Sequence, residues 1–341
     1  MKVAALPRTL GLGPSGPLGL CLAALLLLLF AASLLIGYTA IPAGKALSAL
    51  IGAGDSLHVM VMREIRLPRT LLAALVGASL GLSGAAMQGY LRNPLAEPGL
   101  VGVSGAAALG AVIALQTGLA AAFAQALPLL SLLFAMGTVG VLLLLAGPRG
   151  GSLTLILAGI AVSALAGALT ALVLNLSPNP YATAEIVFWM MGSVADRSMD
   201  EVWLAAPVTL LGWALLLTLG RGLDALTLGE DAAEAMGVSL GRLRLMLLAG
   251  VAASVGAATA VAGAVGFVGL VVPHLLRPLT GARPSTLLWS SALGGAAMVL
   301  AADLAVRLIL PDRDLKLGVV MALIGAPLFL HLIYKTRRQG S

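Results

Sequence analysis

Few ionisable residues lie inside the long apolar stretches of this sequence, and these few are the first candidates for chemistry. They are Asp303, Arg307, His274 and His331. A charge placed in lipid costs about 2.5–3.5 kcal/mol even on a lenient insertion scale, so each such group needs a partner. Asp303 and Arg307 stand four positions apart, which lets them pair on one face of a helix. The alternative for Arg307 is contact with a partner protein, and the sequence leaves both open.

The sequence predicts no metal site and no cofactor. His274 follows Pro273 in a short glycine-rich segment, and a metal site would need further ligands beside it. We therefore interpret His274 as a histidine at a helix end. The single cysteine, Cys21, excludes an intrachain disulfide and a cysteine-based metal cluster.

Two function classes need residue sets that the apolar stretches lack. An ion-coupled secondary transporter usually needs a relay of carboxylates near the membrane midplane, so this class is the alternative and not the first choice. A membrane-embedded enzyme would need clustered carboxylates, histidines or a Ser/His set, so we expect no catalytic residue. The Gly-x-x-x-x-Gly-Lys-Ser/Thr motif is missing too, so any ATP hydrolysis would have to come from a partner chain.

The elements that position these residues are membrane helices. Of 341 residues, 60% are hydrophobic and only 10% are charged, whereas a soluble domain carries about 25% charged residues. The net charge of +6 fits Lys and Arg gathered in cytoplasmic loops, and no basic cluster with interleaved aromatics suggests nucleic-acid binding. The composition predicts an all-α polytopic membrane protein in contact with lipid.

Apolar stretches bounded by charges or Pro/Gly clusters predict about ten transmembrane helices. They cover residues 18–38, 68–90, 99–117, 122–146, 152–175, 201–220, 243–264, 266–278, 285–310 and 317–334. The count is even only if the short 266–278 segment crosses, and then both termini lie on one side. Twelve of the 20 Lys and Arg residues then fall on the side of the termini and eight on the other side, and this distribution favours the cytoplasm for the termini.

A polar segment at about residues 221–244 falls between two of these helices, on the cytoplasmic side. Glu230, Asp231 and Glu234 crowd the start of a short helix, where the helix dipole favours negative charge. Gly237 then breaks the segment before a second short helix. An ordered helical pair of this kind suits the docking of a cytoplasmic protein, and the alternative is a folded loop with no partner.

A group of arginines is assigned to the opposite, outer side, against the usual distribution of positive charge. Arg63, Arg66 and Arg69 precede or open the second predicted helix, and Arg307 ends the ninth. Positive charge there gives no topological benefit, so this group needs its own explanation, and the family resemblance given below implies one. The alternative is that Arg66 and Arg69 extend to lipid phosphates.

A series of short motifs runs in order from about residue 63 to 335. They are Arg66-Leu-Pro-Arg-Thr70, Gly84-Ala-Ala-Met-Gln88, Arg92-Asn-Pro-Leu-Ala-Glu-Pro98, Gly102-Val-Ser-Gly-Ala106, Phe188-Trp-Met-Met-Gly-Ser193, Leu228-Gly-Glu with Ala-Met-Gly-Val238, Gly263-Ala-Val-Gly-Phe-Val-Gly-Leu-Val-Val-Pro-His274, Ala302-Asp-Leu-Ala-Val-Arg307 and Ile324-Gly-Ala-Pro-Leu-Phe329. Each motif alone is weak, but the ordered set resembles the type II ABC importer permeases. That family handles ferric siderophores, haem and vitamin B12.

The resemblance implies a vitamin B12 permease-like fold, with residues 1–341 as one transmembrane domain in the bacterial inner membrane. It implies a homodimer with two cytoplasmic ATP-binding subunits and a periplasmic substrate-binding protein. The function implied is passage of a bulky metal chelate into the cytoplasm, through a pathway lined largely by the fifth and tenth helices.

The resemblance also implies roles for particular residues. They are the cytoplasmic gate at Asn93, Leu95 and Ser152, the ATPase-coupling surface at Glu230, Asp231, Glu234, Gly237, Arg242 and Arg244, and the binding-protein docking residues Arg66, Arg69 and Arg307. In the family, arginines that match the last three receive glutamates from the two lobes of the binding protein.

Overall fold

The computed structural model describes residues 16–123, 125–147, 151–309 and 315–339, and within these ranges the chain is helical without a β-strand. Ten apolar helices coincide with the ten predicted stretches. They are α1 (Pro17–Leu35), α2 (Leu67–Tyr90), α3 (Val103–Gln116), α4 (Ala126–Ala146), α5 (Ser152–Asn175), α6 (Met199–Thr218), α7 (Leu240–Ala262), α8 (Val268–Leu276), α9 (Pro284–Ile309) and α10 (Leu317–Gln339). The chain termini, to which the prediction of a cytoplasmic side applies, lie outside the described residues.

Seven helices of the described chain are long and apolar enough to cross a membrane, namely α1, α2, α4, α5, α6, α7 and α9. The apolar parts of α3, α8 and α10 are shorter. Each long apolar stretch forms a helix because backbone N–H and C=O groups in lipid must be satisfied within the segment.

Helix α8 is shorter than the hydrocarbon thickness of a bilayer, and the 3₁₀ turn Arg277–Thr280 continues it directly. Its nine residues rise about 14 Å, roughly half of the hydrocarbon thickness. Residues 263–266 before it are not helical, and Phe267 has a φ of +67°. A side chain of the same chain satisfies part of this backbone, because the Phe267 N–H donates to Glu97 Oε1 at 2.8 Å.

Helix α2, most of which is buried, packs against both α9 and α7, and its contact with α9 is backbone against backbone. A Cβ atom on Gly77 would lie 2.2 Å from the carbonyl oxygen of Gly295, and one on Gly81 would lie 2.0 Å from that of Ser291. Small residues therefore set the separation of α2 and α9, as in other membrane helix pairs. Gly77 and Gly81 are spaced as in the Gly-x-x-x-Gly motif, which is typical of such close helix contacts.

The outer layer includes α1, which packs mainly on α9 and α2. Only Gly19 and Ser33 are buried among its residues. A helix that is apolar on all sides has no amphipathic preference for one packing face. Polar contacts near its end, described below, therefore matter for its position.

Shorter helices connect these elements. They are Ala43–Leu50, Ser56–Met60, a π-helix at Val61–Arg66, a 3₁₀ turn at Pro98–Val101, Leu119–Ala122, Pro180–Met190, Gly220–Leu226, Glu230–Ala235 and a 3₁₀ turn at Arg277–Thr280. The π-helix runs directly into α2, so one continuous helical segment extends from Ser56 to Tyr90.

Candidate functional site

The three arginines predicted to dock a partner form one cluster with Asp303, called the arginine cluster below. Arg66 is 4% exposed, because the π-helix directs its side chain toward the end of α1. Its Nη1 donates to the carbonyl oxygens of Leu34 and Leu35, each at 2.9 Å. Its Nη2 donates to the carbonyl of Thr39.

Arg307 contacts the same end of α1 from the other side. Its Nη1 donates to the carbonyl oxygens of Ser33 and Ile36 at 2.9 Å. Its Nη2 donates to Ser33 Oγ at 2.5 Å and to Asp303 Oδ2 at 2.6 Å. The predicted i,i+4 pair of Asp303 and Arg307 is therefore confirmed.

Arg69 holds Asp303 with two nitrogens. Nε donates to Oδ1 at 3.0 Å and Nη2 donates to the same oxygen at 2.8 Å. The Arg69 side chain is 12% exposed and that of Asp303 is 2% exposed. A small cavity of about 30 Å³, lined by Tyr38, Ser193 and the two charged residues among others, lies against this pair.

The contacts of the arginine cluster follow from the chemistry of a helix end. The last four carbonyl groups of a helix have no partner within it, and the helix dipole makes that end partly negative. Guanidinium groups supply several donors in one plane and bind such carbonyls. Since Arg66 and Arg307 are buried against α1, neither presents a free guanidinium group, and a docking role for them stays a prediction.

The predicted gate residues lie at the loop between α2 and α3 and at the start of α5. Asn93 is exposed and Leu95 is half-buried, and the Asn93 Oδ1 accepts a hydrogen bond from the Leu95 N–H at 2.9 Å. Ser152 is the first residue of α5. Arg92, with a φ of +49°, turns the chain out of α2.

The predicted coupling segment begins with the connecting helices Gly220–Leu226 and Glu230–Ala235, and Gly237, with a φ of +85°, ends the second of these. Glu230, Asp231 and Glu234 are all exposed. The helix break at Gly237 is thus confirmed. The expectation of a second short helix is wrong, because the residues from Leu240 onward are the first turns of the 23-residue helix α7.

The expectation that Arg244 belongs to the exposed coupling surface is also wrong. Arg244 is buried, whereas Arg242 is exposed. Two residues along a helix turn the side chain to a different face, and Arg244 points inward. Its Nε donates to the Tyr90 hydroxyl at 3.0 Å and its Nη1 to the Gly147 carbonyl at 3.1 Å.

Sequence reasoning missed Asp224, which joins the connecting helix Gly220–Leu226 to the start of α9. Its carboxylate accepts from the Ser285 N–H at 2.8 Å, the Ser285 hydroxyl at 2.7 Å and Arg283 Nε at 2.8 Å. Burial alone would raise the pKa of Asp224, but the hydrogen bonds from Ser285 and Arg283 outweigh it and lower the pKa. The Arg283-Pro284-Ser285 sequence at a helix start was the signal, since the free N–H groups there attract a carboxylate.

The predicted coupling segment also lies close to the loop that carries Asn93 and Leu95. Arg92 Nη2 lies 3.9 Å from Glu230 Oε1, and both side chains are about half exposed. Among the described residues, no group of three or more His, Cys, Asp or Glu side chains could hold a metal ion.

Comparison with known protein families shows to which family this chain belongs. The model of the FecCD transport family matches residues 25–335. The chain belongs to this family. The predicted relationship to permeases of type II ABC importers is therefore confirmed, as is the all-α membrane fold.

Three transport permeases are similar to this chain over most of its length. The ferric enterobactin transport system permease of Escherichia coli is 37% identical over 325 residues, covering 93% of this chain and 95% of that one. The hemin transport system permease of Yersinia pestis is 38% identical, with 82% and 84% covered. The vitamin B12 import system permease of Vibrio cholerae is 41% identical, with 83% and 85% covered.

A solved structure has the same fold. It is an inward-facing structure assigned to a metal-chelate type ABC transporter, with a TM-score of 0.83 and 35% sequence identity. It covers 93% of this chain and 98% of its own. This chain therefore shares its fold with that transporter along nearly its whole length.

Proposed function

We propose that this chain is the membrane-spanning permease subunit of an ATP-driven importer that moves a bulky metal chelate from a periplasmic binding protein to the cytoplasm. The observation that carries the proposal is the family match over residues 25–335. Permeases similar to this chain are named for ferric enterobactin, hemin and vitamin B12, which are all large metal chelates. The cargo class follows, with iron chelates first and cobalamin next.

The assembly in this proposal has three kinds of part. Two copies of the single transmembrane domain, residues 1–341, form the pathway in the bacterial inner membrane with their termini in the cytoplasm. Two ATP-binding subunits supply the energy, so this chain catalyses no bond chemistry. A periplasmic binding protein delivers the chelate. An ion-coupled carrier is the competing function, and the Asp303 pairing in the described chain, which uses both oxygens internally, disfavours a proton relay there.

Coupling in this proposal uses the exposed acidic helix Glu230–Ala235 together with Arg242. The ATP-binding subunits would push on that helix when they close. The Arg92–Glu230 contact gives a route from this surface to the loop of Asn93 and Leu95. Closure of the cytoplasmic mouth would then involve Leu95 from both copies, with Ser152 at the start of α5 as a second gate position.

The experiment that tests this function is co-purification with an ATP-binding subunit. The tagged chain is expressed with the ATP-binding and binding proteins encoded beside it, and extracted in mild detergent. We expect a stable complex whose ATP hydrolysis rises when the binding protein is added. A chain that purifies without any ATP-binding subunit and transports its cargo on a sodium or proton gradient alone would replace the proposal with an ion-coupled carrier.

A further inference from the structure

Glu97 lies in the loop of residues 91–102 that joins α2 to α3, two positions after Leu95. Glu97 is half-buried, and its Oε1 accepts a hydrogen bond from the Phe267 N–H at 2.8 Å. Burial raises the pKa of Glu97, and the hydrogen bond from Phe267 opposes the rise. The carboxyl group of Glu97 is therefore directed inward, at a backbone N–H group 170 positions later in the chain.

Phe267 is the residue from which α8 starts, and its backbone lies in the left-handed region, with a φ of +67° and a ψ of −21°. This conformation is unfavourable for a residue with a large side chain, and it persists only where the surroundings fix it. The carbonyl oxygen of Phe267 accepts from the Val271 N–H at 2.8 Å in the first turn of α8, while the N–H of the same residue binds Glu97. Glu97 therefore helps to fix the turn at which α8 begins.

The Phe267 side chain packs directly on α10. Gly325 is buried in that helix, and a Cβ atom there would overlap the Cβ and Cγ atoms of Phe267. Glycine leaves room for the ring at this point, because any other residue would bring a Cβ atom into the same space. Glu97, Phe267 and Gly325 thus form a series of contacts from the loop to α10, called the Glu97 link below.

The same end of the loop also packs against α8 and α5. A Cβ atom on Gly269 of α8 would lie 2.7 Å from the Cδ atom of Pro98. On the other side, a Cβ atom on Gly159 of α5 would overlap the carbonyl oxygen of Leu100. Two glycines therefore let these helices approach the loop closely. This end of the loop is held by α5, α8 and, through the Glu97 link, α10, and the family resemblance implies that α5 and α10 line the pathway.

We infer that Glu97 is a positioning residue for the cytoplasmic gate: through the Phe267 turn it holds the loop of Leu95 to α10, so that a movement of α10 is passed to the loop. This inference rests on the proposed importer function, in which Leu95 closes the cytoplasmic mouth of the pathway. The role needs a hydrogen-bond acceptor at the end of the Glu97 side chain and the Phe267 ring against Gly325. It needs no contact between Glu97 and the chelate.

The test compares chelate uptake with ATP hydrolysis in proteoliposomes that contain this chain and its ATP-binding subunits. The binding protein is supplied outside, with ferric enterobactin, haem and cobalamin as probes. Glu97→Ala removes the acceptor, so we expect about fivefold less chelate carried per ATP hydrolysed, while the stimulated rate of ATP hydrolysis stays within about twofold of the wild type. A variant that only assembles poorly would lose both rates in proportion and would keep their ratio.

Two further variants separate the hydrogen bond from other effects of the substitution. Glu97→Gln keeps an oxygen that can accept the same N–H, so we expect its ratio of uptake to hydrolysis to stay within about twofold of the wild type. Glu185→Ala is the matched control, because Glu185 is an exposed glutamate on the connecting helix Pro180–Met190. Its ratio should equal that of the wild type.

Phe267→Gly tests the second half of the Glu97 link. Glycine adopts the positive φ readily but lacks the ring that packs on Gly325, so this variant should also carry about fivefold less chelate per ATP. Because Glu97 and Phe267 act through one series of contacts, the double variant should lose no more than either single variant.

Three results would overturn the inference. They are a wild-type ratio for Glu97→Ala or for Phe267→Gly, a loss in Glu97→Gln as large as that in Glu97→Ala, and losses that multiply in the double variant. Phe267→Gly carries the test by itself if Glu97→Ala does not assemble. A wild-type complex that accumulates none of the probes with ATP would contradict the proposed function and, with it, this inference.

Discussion

At the scale of single residues, buried arginines tie neighbouring helices together through oxygen atoms. Arg66 and Arg307 bind carbonyls at the end of α1, and Arg244 joins α7 to Tyr90 of α2 and to Gly147 after α4. In lipid, where helices gain little from hydrophobic association, such polar contacts help to fix which helices are neighbours. The position of an arginine in this chain therefore decides whether it is structural or available to a partner.

Replacing Arg244 tests whether a buried arginine of this chain is structural. Arg244→Ala removes two hydrogen bonds from a charged donor and leaves the Tyr90 hydroxyl and the Gly147 carbonyl without it, so we expect a loss of about 2 kcal/mol in stability. Arg242→Ala, two residues earlier and exposed, is the control and should change stability by less than about 0.5 kcal/mol. Thermal unfolding of both variants in the same detergent measures the difference. Equal melting temperatures would show that Arg244 is not structural.

The depressed pKa of Asp224 predicts a pH-dependent contribution to stability. A carboxyl group whose pKa is lowered by folding stabilises the protein above its unfolded pKa, about 3.9, and that contribution is lost as the pH falls through the lower folded pKa. At pH 7, Asp224→Asn should be less stable than wild type by about 1 kcal/mol, since the pair with Arg283 is partly exposed. The gap should shrink below about pH 4, as measured by unfolding at a series of pH values. A gap that stays constant with pH would contradict the assignment.

At the scale of elements, the positions of the helices could be predicted from the sequence, but the π-helix and the burial of Arg66 could not. The apolar stretches had to be helices because lipid offers backbone groups no other partner. Nothing in the residues Val61 to Arg66 distinguishes a π-helix from an α-helix, although the π-helix helps to direct Arg66 inward. The burial of Arg66 depends on α1, about thirty residues earlier in the chain, which no local pattern shows.

The predicted coupling segment also shows that local sequence does not determine how a helix packs. The polar residues and Gly237 predicted a break correctly, because glycine accepts the positive φ that ends the helix Glu230–Ala235. They could not show that the next helix is a full-length one. Arg244 was placed on the wrong surface for that reason, since its face is set by the packing of α7.

The prediction for this element is a loss of coupling when its rigidity is broken. Inserting a flexible Gly-Ser stretch at Gly237 should abolish the stimulation of ATP hydrolysis by the binding protein, while membrane insertion stays normal. The same insertion at Gly118, which also has a positive φ and has open space around it, is the matched control and should leave stimulation intact. If the Gly237 insertion couples as well as wild type, this segment does not transmit the movement.

At the scale of the whole molecule, the described chain forms one half of the proposed pathway. Leu95 is half-buried in the single chain, and we expect it to meet its counterpart in a second copy. Replacing Leu95 by Cys, in a Cys21→Ser background, should let an oxidant cross-link two copies in the closed state and block transport. Failure to cross-link in every nucleotide state would exclude Leu95 from the gate.

Uptake by proteoliposomes tests the central claim most directly. The complex of this chain with its ATP-binding subunits is reconstituted, and the binding protein is supplied outside with ferric enterobactin, haem or cobalamin as probes. ATP enclosed in the vesicles should drive accumulation of at least one chelate, and a sodium or proton gradient without ATP should drive none. Accumulation that follows the ion gradient and ignores ATP would contradict the account.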